Sequence, residues 1–108
     1  MIEVREYVDA RGRSIYRDWV TELDPTTRAR VIVSVLRMEL GNFSAAKGVG
    51  GGVSEMRLDF GPGYRVYFGR DGDRLVILLA GGSKKKQQVD IAAANALWAE
   101  YKRRKKEG

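Results

Sequence analysis

Apolar positions along this 108-residue chain change period several times, and each change marks an element. Ile2 and Val4 alternate with Glu3 and Arg5, so Ile2–Tyr7 reads as a first strand with one apolar face. Ile15, Tyr16, Trp19, Val20 and Leu23 then follow the three-and-four spacing of one helix face. Asp24-Pro25 supplies an N-cap and a proline at the first helical position, where its missing N–H costs nothing. Ala29, Ile32, Val33, Leu36 and Leu40 repeat at helical spacing and predict the buried stripe of a second helix, stopped at Gly41-Asn42. So short a turn between the two makes an antiparallel helix hairpin.

Lys47–Gly52 is expected to be a flexible connector, because consecutive glycines hold a regular element poorly. It lacks the Gly-Lys-Ser/Thr ending of a phosphate-binding loop, which argues against nucleotide binding there. Beyond it the period becomes two. Met56, Leu58 and Phe60 alternate with Glu55, Arg57 and Asp59; after Gly61-Pro62-Gly63, Tyr64, Val66 and Phe68 alternate with Arg65 and Tyr67. Asp71-Gly72 is a hairpin turn signal, and the wholly apolar run Leu75–Ala80 fits a central strand covered on both faces. Ile91, Ala94, Leu97, Trp98 and Tyr101 mark a C-terminal helix that gives way to a basic tail over 102–108. The expected order is βααβββα. It makes one α+β domain over residues 1–108, with an antiparallel sheet packed by an N-terminal helix hairpin and a C-terminal helix.

Composition narrows the chemistry. There is no cysteine, so neither a disulfide framework nor thiolate chemistry is possible. There is no histidine either, which removes a Ser–His–Asp triad and the usual Cys/His zinc sites. Catalysis would have to use Arg, Lys, Tyr, Asp, Glu or backbone groups, a set suited to stabilising a phosphate. No apolar stretch is long enough to span a bilayer, and the N-terminal segment lacks the apolar core of a secretory signal, so a cytoplasmic home is expected. The net charge of +6 is unevenly placed. Residues 1–83 hold 12 basic and 11 acidic side chains, whereas residues 84–108 hold 8 basic and 3 acidic ones. That patch favours a polyanion or an acidic protein partner, or serves as a solubilising tail.

Two features can carry chemistry. If Met56, Leu58, Val66 and Phe68 face the core, the other face shows Glu55, Arg57, Asp59, Arg65 and Tyr67. The turn near Gly61 sets Arg57 roughly opposite Arg65, and like charges across a strand pair cost stability. They need either neighbouring acids, Glu55 and Asp59, or an external anion. Secondly, Lys84, Lys85 and Lys86 lead into the C-terminal helix, where cations oppose the helix dipole. Ser83 or Asp90 is the expected N-cap. A bound phosphate would relieve the conflict; a solvated basic turn is the plainer account. If the strands are sequential, both features share one cationic surface, with Tyr67 available to stack a base.

The segment from Glu55 to Phe68, the run from Leu75 to Lys84, and Trp98–Lys102 resemble the phage-derived addiction-module killer proteins of the RelE/ParE superfamily, close to the HigB-type toxins. The resemblance covers essentially the whole chain. It implies a RelE-like fold, a type II toxin with an adjacently encoded helix-turn-helix antitoxin, and ribosome-dependent mRNA cleavage. In that chemistry the 2′-hydroxyl attacks the adjacent phosphate without a metal or other cofactor. It implies catalytic roles for Arg57 and Arg65 at the scissile phosphate, and for Lys84 and Lys86 at flanking phosphates. Glu55 or Asp90 would be the base. Glu55 stands where the RelE pattern has a lysine; Asp90 stands where some nucleases have a tyrosine, and matches an aspartate used by HigB-type members. Lys85, Tyr67, Lys102, Arg103 and Arg104 are the expected RNA contacts. In the ParE-type branch the target is DNA gyrase instead. A plain nucleic-acid-binding module, or a decayed toxin that only binds its antitoxin, are the remaining readings.

Overall fold

A computed structural model describes all 108 residues. The elements are β1 (Glu3–Glu6), α1 (Ile15–Thr21), α2 (Pro25–Glu39), β2 (Ala46–Gly50), β3 (Val53–Arg57), β4 (Arg65–Asp71), β5 (Leu75–Gly82) and α3 (Gln87–Glu107), the last preceded by a 3₁₀ turn at Lys84–Lys86. One five-stranded sheet has the order β1-β5-β4-β3-β2. β1 runs parallel to β5 and every other pair is antiparallel, so β3, β4 and β5 form the expected sequential meander. No helix is long and apolar enough to cross a membrane.

The expected glycine connector is instead a hairpin. Ala46 pairs with Met56 and Lys47 with Glu55, which adds a fifth strand as the sheet edge. Gly50, Gly51 and Gly52 all adopt positive φ and make the turn, so the glycines close a hairpin rather than loosen a loop. A side chain at Gly52 would stand 2.8 Å from the Trp98 indole nitrogen, so the turn also needs glycine to lie against α3.

The sheet is covered on both faces by separate cores. On one side Tyr16, Val20, Val31 and Met38 of the helix hairpin meet Met56, Leu58, Val66, Phe68, Val76 and Leu78. On the other, Ala94 and Trp98 of α3 meet Tyr7, Val53, Tyr67, Ile77, Leu79 and Ala80. α1 starts at Ser14, whose hydroxyl accepts the Arg17 N–H at 3.1 Å, and α2 starts at Asp24, which accepts the Thr27 N–H at 3.2 Å. α2 turns the other way from the expected one. Val31 and Met38 are buried, while Ile32, Val33, Leu36 and Leu40 face solvent, with Ala29 beside them. Residues 31–36 are apolar almost all round the helix, so the period alone fits either side, and the hairpin's geometry decides.

The basic tail is also different. α3 continues to Glu107, where lysines and arginines suit the negative end of the helix dipole. Arg104 donates to the Val8 carbonyl at 2.8 Å and Lys105 to Asp71 at 2.7 Å, so part of the tail is bound to the body of the protein.

Candidate functional site beneath the start of α3

The register bears out the opposition of the two arginines: Arg57 on β3 pairs with Arg65 on β4, which pairs in turn with Gly82 on β5. Their fates differ. Arg65 is buried; its Nε donates to Glu55 Oε2 at 3.0 Å and its Nη1 to the Gly63 carbonyl at 2.6 Å. Glu55 is fully buried and also accepts from the Gln87 amide at 3.1 Å. Arg57 is exposed and ion-paired with nothing, its side chain lining a groove beside α2. Glu55 therefore neutralises one arginine inside the protein, while Asp59 pairs with neither and Arg57 is left free. Neither Glu55 nor Arg65 stands on an open cationic surface, because α3 covers that face of the sheet.

Tyr67 cannot stack a base. It is fully buried under α3, its hydroxyl has no hydrogen-bond partner, and burial, then the charges of Glu55 and Asp90, push its pKa up to about 12. The alternation placed it on the correct face, but that face is a second core.

Asp90 is not an N-cap. Regular helix begins at Gln87, with Lys86 as cap residue and no side chain capping the first turn; Ser83 precedes the 3₁₀ turn and makes no capping bond. Asp90 lies one turn into α3 with its carboxylate directly over Gly82, where an added Cβ would meet Asp90 Oδ2 at 1.9 Å. A bulge makes this contact. Tyr67 pairs with Ala80 and Phe68 with Leu78, so Leu79 is the extra residue of β5. Its insertion turns Gly81 toward Trp19 of α1 and Gly82 toward Asp90 of α3, and both glycines are required because a side chain fits at neither. Asp90 Oδ2 is buried without a partner, and burial raises its carboxyl above the usual aspartate range against the pull of Lys86.

The raised Asp90 has a consequence for stability. Between about 3.9, the ordinary aspartate value, and the raised value, the folded chain keeps a proton that the unfolded chain has lost. Stability therefore falls as pH rises through that window and stays lowered above it. Asp90→Asn is expected to remove this fall. Its denaturation midpoint should exceed that of the unsubstituted protein at neutral pH, with the gap closing toward about pH 3. A gap that does not change with pH would show that Asp90 carries no such penalty.

Lys84, Lys85 and Lys86 are exposed around this site. Lys84 is fixed to the β3–β4 turn through its N–H on the Pro62 carbonyl, 3.3 Å away, and a side chain at Gly63 would lie 3.2 Å from both Lys84 Cβ and Arg65 Nη1. So Arg65, Lys84 and Asp90 are brought together at one end of the sheet. Lys102, Arg103 and Arg104 are not: at 1.5 Å per residue they sit about 20 Å along α3 from Asp90. Lys102 lies over the Trp98 ring at 5.9 Å, and Arg104 over Tyr7 at 5.7 Å. Sequence reading missed Gln87, whose amide completes the buried pair, and no periodicity marks it. No group of three or more acidic, histidine or cysteine side chains is positioned to hold a metal ion.

A protein of Haemophilus influenzae, described only as uncharacterized, is 39% identical over 83 residues, covering 76% of this chain and 84% of the relative. The family model of the phage-derived Gp49-like proteins matches residues 18–100, a span that holds α2, the whole meander, the glycine pair, the lysine turn and Asp90. The chain belongs to the Gp49-like family of phage-derived proteins (DUF891), a family related to toxin–antitoxin systems.

Proposed function

We propose that this protein is the toxin of a type II toxin–antitoxin pair on a RelE/ParE-like, HigB-like scaffold, and that it cuts mRNA on the ribosome in the cytoplasm. The observation that carries this reading is the half-buried Asp90 carboxylate, raised in pKa, with Oδ2 unpartnered and held against Gly82 beside the exposed lysine turn. A carboxylate whose pKa is raised makes a better general base than an ordinary one. Glu55, tied to Arg65 and Gln87, has no free lone pair facing outward and is the poorer candidate.

In the proposed step Asp90 takes the proton of an RNA 2′-hydroxyl, and the 2′-oxygen attacks the adjacent phosphorus. The bond from phosphorus to the 5′-oxygen breaks, leaving a 2′,3′-cyclic phosphate. The proton held by Asp90, or one from water, completes the 5′-hydroxyl. Arg57 and Lys84 to Lys86 are the unpaired cations available for the negative charge that grows on the phosphate. Arg65 acts here as a positioning residue, fixing the β3–β4 turn on which Lys84 rests. The cognate antitoxin is taken to be a helix-turn-helix protein encoded beside the toxin.

The test is a reconstituted bacterial translation reaction with mRNA ends mapped by primer extension, with and without ribosomes. Codon-phased cuts that require ribosomes are expected, with Asp90→Asn and Arg57→Ala each reducing cleavage by about a hundredfold or more. Intact mRNA would overturn the nuclease reading and move the case to ParE-like gyrase inhibition, read by a supercoiling assay, or to a toxin that has lost its activity.

A further inference from the structure

α2 has two apolar faces, and the fold uses only one. Ile32, Val33 and Leu36 are 45–49% exposed and Leu40 is 76% exposed, a contiguous stripe on a helix whose opposite face is already seated on the sheet. Beside Val33 a groove of about 480 Å³ runs between α2 and the β3–β4 turn, bounded by Arg30, Arg37, Arg57 and Phe60. Arg30 is held at its rim over the Phe60 ring, 4.7 Å from the centroid. None of Arg30, Arg37 and Arg57 forms an ion pair, and Asp59 is the one acid on the groove.

We propose that this face docks a protein partner through an amphipathic helix whose apolar side is flanked by aspartate and glutamate. The stripe from Ala29 to Leu40 is about 16 Å long at 1.5 Å per residue, which matches three turns of a partner helix. Exposed aliphatic side chains set among polar ones favour a protein ligand over a nucleic acid, which would use the arginines and leave the stripe wet. The charge selects the partner. Two copies of this chain meeting along α2 would bring their unpaired arginines together, whereas an acidic helix would neutralise them. α2 and α3 cover opposite faces of the sheet, so a partner seated on the stripe leaves Asp90 uncovered. This inference shares Arg57 with the nuclease reading, but its test rests on Leu36 and Arg37, which that reading does not use, and it stands apart from the charge of the C-terminal tail, which points an acidic partner elsewhere.

The probe is a fluorescent amphipathic peptide of about 14 residues, with leucines on one face and glutamates flanking them, titrated into the full chain and read by anisotropy. A matched peptide with lysine in place of each glutamate is the control. The glutamate peptide is expected to bind at least about tenfold tighter, and more weakly as salt rises. Leu36→Glu and Arg37→Glu should each weaken it about tenfold, with unchanged far-ultraviolet dichroism and melting, since both side chains are exposed. Equal binding of the two peptides, or full binding by a folded Leu36→Glu protein, overturns the proposal. So does sedimentation showing a dimer of the unsubstituted chain that Leu36→Glu dissociates, which would assign the face to a second copy.

Discussion

Arg65→Ala should be among the most damaging substitutions in the protein, costing about 3–5 kcal/mol. Its guanidinium is the buried counter-charge of Glu55, and both side chains are almost entirely shielded from water. Without it, Glu55 keeps one amide contact from Gln87 and otherwise faces a low-dielectric interior as an unpaired anion. The Gly63 carbonyl also loses its donor, which loosens the turn that carries Lys84. Against a total stability of roughly 5–15 kcal/mol for a domain of this kind, such a loss leaves much of the population near unfolding. The double variant Glu55→Leu with Arg65→Met should recover most of the loss, because no charge is then left buried. Urea denaturation of the single and double variants measures this. An Arg65→Ala protein as stable as its parent would show that Glu55 does not depend on its buried counter-charge. The same substitution is for this reason a poor probe of chemistry: a silent Arg65→Ala protein reports lost structure before it reports lost catalysis. Asp90→Asn and Arg57→Ala, at positions the fold does not depend on, separate the two.

The meander was legible because a two-residue period, a Gly-Pro-Gly turn and an Asp-Gly turn agree with one another over Glu55–Ala80. The pairing of Arg57 with Arg65 followed from the turn alone, and the structure has it. What the alternation could not say is what covers each face. Glu55, Arg65 and Tyr67 have the polar residue types of a solvated face, yet α3 lies over them, and only three-dimensional placement turns that row into a buried ion pair and a second core. β2 escaped because its glycines suppress any period, and the strand is recognisable only through its partner β3. α2 misled for the opposite reason, being apolar around most of its circumference. Asp90 was singled out by resemblance, but its contact with Gly82 depends on the Leu79 bulge, a one-residue insertion without a sequence mark. The glycine pair was visible in the sequence as a motif; the reason for it, one glycine for Trp19 and one for Asp90, was not.

Trp98 is the largest α3 side chain buried against the sheet, and Trp98→Ala is expected to cost about 3–5 kcal/mol. The indole is 6% exposed, stacks on Tyr101 at 5.0 Å with the rings 9° apart, and lies on the backbone of β4 where Gly69 has no side chain. A Cβ at Gly69 would stand 2.4 Å from the ring, so Gly69→Ala alone should cost about 1–3 kcal/mol by forcing the indole outward. With Trp98 already reduced to alanine, the added methyl enters vacant space. It should then be neutral or mildly stabilising, since alanine also orders a strand better than glycine. The double variant is therefore expected to be more stable than the sum of its parts by about 1–3 kcal/mol, measured as a double-mutant cycle in urea. Additive losses would mean that the ring and the glycine do not share the same space. The cycle also bears on the proposed chemistry, because Asp90 rides on the same helix two turns away from Trp98. If Trp98→Ala lets α3 lift, Asp90 moves off Gly82 into water and its pKa returns toward that of an ordinary aspartate. The fall in stability with rising pH should then vanish in Trp98→Ala as it does in Asp90→Asn, though for a mechanical reason.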